Sequence, residues 1–298
     1  MAVLAASSPS TAERIERARR HLEEAGLSVE FASNLFARDR SYLAGSDEVR
    51  ARELNELLRR DDFDAFLFAR GGYGAMRILD AIDYQAIATN PRPLIGYSDV
   101  TAIHQAVAAR AGVASFHGPM LNTDFFERLS PARDTWFWSM LGGEAPLSLD
   151  LLDEQILSPG RASGILFGGC LSLTAALVAT PYDFWVDDGI WFWEETDEPT
   201  YRIDRMLTHL KLSGRLQSIR GVMIGKLKKC GESDAGELNA VLSELFVNRG
   251  IPVVRDLPFG HHGDNLLLPI GRRVTLDADA RLFTIEEPAV EPATTRRR

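Results

Sequence analysis

Cysteine is scarce. Cys170 and Cys230 are the only two in 298 residues, and without a C-x-x-C spacing they support neither a disulfide framework nor a zinc ribbon, so a reducing compartment fits. Long apolar runs are missing as well, since no stretch reaches the ~18 residues a membrane span needs. Residues 1–9 have no basic region ahead of the short apolar run Ala2 to Ala6, so no signal peptide is expected and a cytoplasmic location is the default. Positive charge is in deficit: 33 Lys and Arg against 42 Asp and Glu leave a net charge of −9, which repels a phosphate backbone and argues against nucleic acid as a partner. The run Arg296-Arg297-Arg298, behind Pro292 and two threonines, reads as a frayed terminus. No glycine is followed by Lys-Ser or Lys-Thr, and neither H-E-x-x-H nor His-x₃-His occurs, so a phosphate-binding Walker loop and a metal centre are not expected.

What is present is an ordinary globular composition, 45% hydrophobic and 25% charged, long enough for one large domain or two ordinary ones. In the first half, short apolar strands alternate with amphipathic stretches, as in βαβ units around a mostly parallel sheet. The spacing predicts strands at 3–6, 64–69, 93–98 and 115–119, and helices at 10–25, 46–60, 75–82 and 99–111, with Gly26 and Gly112 as stops. Residues 143–159 carry Pro146 and Pro159 without a clear period and read as an interdomain crossing, dividing the chain into 1–145 and 160–298. The second half predicts helices at 171–179 and 201–212, an aromatic strand at 190–193, and β-like segments at 253–254, 266–268, 274–276 and 282–285. The fold class expected is α/β, with a β-rich second domain that also carries helices.

Four segments carry chemistry. Arg70-Gly71-Gly72-Tyr73-Gly74 lies between strand and helix, but Arg77 stands where a dinucleotide fingerprint needs its third glycine. Its glycines serve either close approach of backbone N–H groups to an oxyanion or a tight turn with positive φ. Gly96-Tyr97-Ser98-Asp99 puts a serine at the strand-to-helix corner, the place of a nucleophile elbow; Val100 replaces the second glycine, and an N-cap is the other use of such a serine. Trp191-Phe192-Trp193-Glu194-Glu195 ends a strand in two carboxylates, which suits a charge that orients a histidine and equally a solvated strand end. Gly260-His261-His262-Gly263-Asp264-Asn265 holds two of six histidines in a loop, where one is a candidate general base near neutral pH. Ser98, Glu194 and His261 thus supply nucleophile, acid and base, in one of several known chain orders.

Together these segments, with Tyr42-Leu-Ala-Gly-Ser-Asp-Glu48 and Arg50, Ile95 to Thr101, Phe116-His-Gly-Pro-Met120, Gly168-Gly169, Tyr201-Arg-Ile-Asp-Arg-Met-Leu207 and Leu268-Pro269-Ile270-Gly271, resemble the L,D-carboxypeptidases of murein recycling. That serine-peptidase family also contains the microcin C immunity proteins. The resemblance implies a Ser98–His261–Glu194 triad, an oxyanion hole from the N–H groups of Gly72 and Asp99, and a second domain with a β-rich swivelling core. It also implies a cytoplasmic homodimer without cofactor that removes the terminal D-alanine of a murein tetrapeptide. A carboxypeptidase must recognise a free carboxylate, and Arg70 is the candidate for it. An immunity-type hydrolase of peptidyl or aminoacyl nucleotides is the alternative, with Trp185, Trp191 and Trp193 either stacking on a base or packing a core. A non-catalytic cell-wall peptide binder is a third reading, against which all three triad residues stand. Cys170 departs from the family's Asn after Gly-Gly, and Glu195 from its Asp after the catalytic Glu.

Overall fold

The computed structural model describes residues 1–231, 235–247, 249–263 and 265–291; the arginine run and Asp264 lie outside the described residues. In the first half, β1 (Ala2–Leu4), β2 (Glu30–Phe31), β3 (Phe66–Phe68), β4 (Leu94–Gly96) and β5 (Ser115–His117) pair in parallel in the order β2-β1-β3-β4-β5. Helices α1 (Ala12–Glu24), α2 (Asp47–Arg59), α3 (Tyr84–Thr89) and α4 (Thr101–Ala111) lie in the connections. The strand period of two sorts their side chains. Val3, Leu67, Ile95 and Phe116 face one core, whereas Ala2, Leu4, Phe66, Phe68 and Leu94 face another with Leu54 of α2 and Ile103 of α4. The stretch expected as a helix at 75–82 is a 3₁₀ segment, Ala75–Ala81; it leaves Gly74 at φ +132°, and short connectors of this kind wind tighter than an α-helix.

After α5 (Pro131–Leu141) come β6 (Leu147–Asp150), β7 (Ile156–Ser158), β8 (Arg161–Cys170), β9 (Ile190–Glu194), β10 (Gly221–Gly225) and β11 (Val253–Leu257). The chain then runs through β12 (Leu268–Ile270) into the hairpin of β13 (Arg273–Asp277) and β14 (Leu282–Ile285). The second sheet has the order β6-β14-β13-β8-β9-β10-β11-β7. Its centre, β8 to β11, is parallel, with α6 (Leu171–Leu177), α7 (Thr200–Leu212) and α8 (Ala235–Phe246) as crossovers. The mixed α/β class with two sheets is as expected.

Three local readings change. Residues 143–159 are not a bare crossing, because β6 and β7 form there; β6 is a half-exposed edge strand with little apolar signal. The ten-residue β8 was invisible to apolar patterning because Gly164, Gly168 and Gly169 interrupt it. Those glycines are needed: a Cβ on Gly168 would fall 1.7 Å from the Phe192 carbonyl oxygen of the neighbouring strand. The strand expected at 266–268 forms at Leu268–Ile270 and pairs antiparallel with β5, so it completes the first sheet instead of the second. Around it, Ile95 and Phe116 share one core with Phe192, Met223, Phe259 and Leu268, and the two sheets are therefore packed on each other.

Candidate active site

Ser98 follows β4 by one residue and takes φ +62°, a left-handed conformation that a residue with a Cβ adopts only when its surroundings force it. The turn is pinned from both sides. A Cβ on Gly96 would meet Val100 Cγ1 at 3.0 Å and Phe68 Cβ at 3.1 Å, so only glycine lets the following helix return this close to the sheet. Ser98 itself is half-buried at the sheet's carboxyl edge, as a nucleophile elbow requires.

Glu194 ends β9 and is fully buried, while His261 sits in the loop between β11 and β12. His261 Nδ1 lies 2.7 Å from Glu194 Oε2, its backbone N–H donates to the same oxygen at 3.2 Å, and its Nε2 lies 2.9 Å from Ser98 Oγ. Three residues from three distant parts of the chain thus form one hydrogen-bonded row. Gly260, at φ +94°, makes the approach possible, since a Cβ there would fall 2.6 Å from Glu194 Cγ and Oε2. Burial works against the charge on Glu194, but the His261 ring and its hydrogen bonds outweigh it and hold the carboxyl below its ordinary value. Burial likewise opposes protonation of His261, and the Glu194 charge beside it wins and raises the ring above the ordinary 6.5. With Glu194 ionised, Nδ1–H donates to it and Nε2 is left to accept from the Ser98 hydroxyl.

The glycine loop lies against the same serine. A Cβ on Gly71 would fall 2.8 Å from Ser98 Cβ, 3.0 Å from Ser98 Oγ and 3.3 Å from the Asp99 nitrogen. Gly72 is exposed at φ +111°, and the Tyr73 N–H donates to Ser8 Oγ at 3.4 Å. The buried Asp99 carboxylate accepts the Ala75 N–H at 2.8 Å, which ties the end of the loop to the elbow. Arg50, fully buried on α2, donates to the carbonyls of Ala6 (2.5 Å), Gly74 (2.8 Å) and Gly45 (3.3 Å) and pairs with Asp47. The sequence motifs contained Arg50 only as an unexplained letter and Ser8 not at all, because a partner far along the chain leaves no local signal.

Arg70 is half-buried beside the loop. His117, to which the sequence reading gave no role, is buried with neither ring nitrogen hydrogen-bonded; it packs edge-on to Phe192 (5.1 Å) and Tyr97 (5.9 Å), and burial pushes it down to about 3, so it stays neutral. Cys170 and Glu195, the two departures from the family pattern, touch each other, with Cys170 Sγ 3.4 Å from Glu195 Oε1. Trp191 and Trp193 are fully buried against α7, α8 and each other, their rings 5.9 Å apart, and half-buried Trp185 donates to Ser218 Oγ. Trp191 and Trp193 are core, and Trp185 packs on Trp191 at its border. Among the described residues no group of three His, Cys, Asp or Glu is arranged to hold a metal ion, and no helix is long and apolar enough to cross a membrane.

Comparison with known proteins bears on the family of the chain. Residues 1–118 match the model of the LD-carboxypeptidase N-terminal domain, and residues 163–276 that of the C-terminal domain. A probable murein peptide carboxypeptidase of Bacillus subtilis is 33% identical over 296 residues, 98% of this chain and 92% of the relative. The crystal structure of muramoyltetrapeptide carboxypeptidase from Oxalobacter formigenes is 30% identical and superposes with a TM-score of 0.86 over 96% of this chain and 99% of its own. The microcin C7 self-immunity protein of Escherichia coli is 25% identical over 94% of this chain and 91% of the relative. With both domain models matched in order and a relative one-third identical along almost its whole length, the chain belongs to the LD-carboxypeptidase family.

Proposed function

We propose that this protein is a serine carboxypeptidase that removes the terminal D-alanine from murein tetrapeptides, with Ser98 as nucleophile, His261 as general base and Glu194 as its orienting partner. The observation that carries the reading is the unbroken row Glu194 Oε2, His261 Nδ1, His261 Nε2, Ser98 Oγ at 2.7 and 2.9 Å. In the first half-reaction Ser98 Oγ attacks the carbonyl carbon of the last peptide bond while its proton passes to His261 Nε2. The tetrahedral oxyanion is held by the N–H groups of Gly72 and Asp99, an assignment supported by the contact of the glycine loop with Ser98. The C–N bond then breaks, His261 returns the proton to the departing amine, and the acyl group remains as an ester on Ser98. In the second, His261 takes a proton from water, the hydroxide attacks the ester, and the shortened peptide leaves with its new carboxylate as Ser98 regains its proton.

We assign Arg70 a part in holding the free carboxylate, and we take the enzyme to act in the cytoplasm as a homodimer, with no nucleic acid or membrane partner. The division at 1–145 and 160–298 belongs to the same reading; it is supported by family matches that stop at 118 and resume at 163. The alternative, hydrolysis of a peptidyl or aminoacyl nucleotide, loses two of the three tryptophans that would stack on a base, because Trp191 and Trp193 are packed in the core, and keeps only half-buried Trp185.

Mass spectrometry of the purified protein with a murein tetrapeptide tests the reading. Loss of one alanine is expected, and Ser98→Ala is expected to lower turnover by about 10³- to 10⁶-fold while leaving the melting temperature close to wild type. Undiminished release by the variant overturns Ser98 as nucleophile, and release of nothing from the tetrapeptide overturns the substrate.

A further inference from the structure

In the first sheet the chain starts at β1 and builds outward in both directions, to β2 on one side and to β3, β4 and β5 on the other. Open parallel sheets bind ligands where the order changes direction, outside the carboxyl ends of the strands. Here that crevice lies between the end of β1 and the end of β3. Two arginines flank it: Arg14 in the first turn of α1, which follows β1, and Arg70, which follows β3.

Each guanidinium group is tied to a backbone carbonyl beside it, and that of Arg14 also lies over the Phe126 ring at 4.8 Å. Arg14 Nη1 donates to the Asn122 carbonyl at 3.1 Å, and the Asn122 N–H donates to the carbonyl of Ala69, next to Arg70, at 2.8 Å. Arg70 Nη1 donates to the Pro9 carbonyl at 3.3 Å. After burial, the charge of Arg14 is what most disfavours the charge of Arg70. Neither arginine makes an ion pair among the described residues, although Arg19, Arg50, Arg59, Arg60 and Arg77 all do. Two neighbouring cations with unspent planar N–H donors fit a bidentate anion such as a carboxylate.

The place fits too. Arg70 Nη2 lies 3.9 Å from the point a Cβ on Gly72 would occupy, and the Cβ position of Gly71 is 3.0 Å from Ser98 Oγ. A peptide whose scissile carbonyl meets Ser98 and whose oxygen meets Gly72 carries its next residue one Cα–Cα step, ~3.8 Å, further on. We propose that Arg14 and Arg70 form one anion subsite for the α-carboxylate of the residue to be released, and that this subsite confines cleavage to the last peptide bond of a chain. The proposal rests on the acyl-transfer reading of Ser98. In an interior peptide bond or a C-terminal amide the same position holds a neutral group, which leaves exposed Arg14 and half-buried Arg70 without a counter-charge.

The test compares kcat/KM for a murein tetrapeptide with a free C-terminus and for its C-terminal amide, in wild type, Arg14→Gln, Arg70→Gln and the double variant. Arg220→Gln, which removes an exposed pair with Asp188 far from the crevice, is the control. Wild type is expected to prefer the acid by roughly 10²-fold, each single variant to shrink that ratio roughly tenfold, and the double variant to bring it near one. Arg14 is exposed, so its removal does not threaten the fold. A ratio that stays at the wild-type value in Arg14→Gln overturns the pair. Should wild type cleave neither peptide, the catalytic reading has failed, and the subsite is judged by calorimetry on Ser98→Ala: equal affinity for acid and amide overturns it, and an acid preference abolished by adding Arg14→Gln and Arg70→Gln upholds it.

Discussion

Ser98 holds a left-handed backbone that costs about 1–2 kcal/mol for a residue with a Cβ, and the cost aims its hydroxyl out of the sheet edge toward His261. The electrostatics of the row then fix its response to pH. His261 must be neutral to accept the Ser98 proton, and its folded-state value lies above 6.5, so the acid limb of kcat/KM is expected above pH 6.5, with activity rising as the ring loses its proton. Glu194→Gln removes the charge that raises the ring and leaves the burial that lowers it, so the limb is expected to move to lower pH while kcat falls about 10²- to 10⁴-fold. A pH–rate profile of the variant checks both, and an unmoved limb rules Glu194 out as the source of the shift. Glu194 was legible in the sequence as the end of an aromatic strand, and His261 as a loop histidine. That Gly260 must be glycine for the two to meet was not, because the clash it avoids is with a residue 66 positions earlier in the chain.

Among the elements, α2 does the most for the site without touching it. Its buried Arg50 gathers the carbonyls of Ala6, Gly45 and Gly74, so the loop after β1, the turn before α2 and the glycine loop are fixed by one side chain. Arg50→Met leaves three carbonyls and the Asp47 charge without that donor, and a loss of about 3–5 kcal/mol is expected in chemical denaturation. A loss below about 1 kcal/mol in urea titration contradicts the clamp. The amphipathic helices α1, α2 and α7 and the apolar strands β3, β4 and β9 were readable because their faces differ in hydropathy at a fixed period. The strands β8 and β10 were not, since glycines sit where neighbouring backbone or side chains come close, and α5 was lost because its polar residues Arg133, Asp134 and Thr135 and its aromatic residues Trp136, Phe137 and Trp138 follow each other along the chain and show no helical period. Local pattern reports which face is dry, and it is silent about which other strand makes it so.

At the scale of the whole molecule, His104 and His117 are fully buried and neutral, pushed down by burial to about 4 and about 3. In the unfolded chain both take up protons near pH 6.5, so the unfolded state binds more protons across the window from about 6.5 down to about 3 and stability must fall as pH falls through it. A melting temperature that declines from pH 7 to pH 4, and declines less in His117→Phe, is the expected result; identical slopes contradict it. The shared core makes a second demand. Residues 1–145 alone lack β12 and the side chains of Phe192, Met223 and Phe259 that cover the inner face of the first sheet, so this fragment is expected to show no cooperative thermal transition by circular dichroism. A sharp transition overturns the dependence of one half on the other.

Strand β12 also sets a timetable. The ribosome delivers β5 early and its antiparallel partner about 150 residues later, so through about half of synthesis the nascent chain carries an open sheet edge, the kind of surface that recruits stray strands. His261 emerges only just ahead of that partner. A truncated or stalled product therefore holds the serine without its base, and hydrolytic competence arrives at nearly the same moment as the strand that seals the edge.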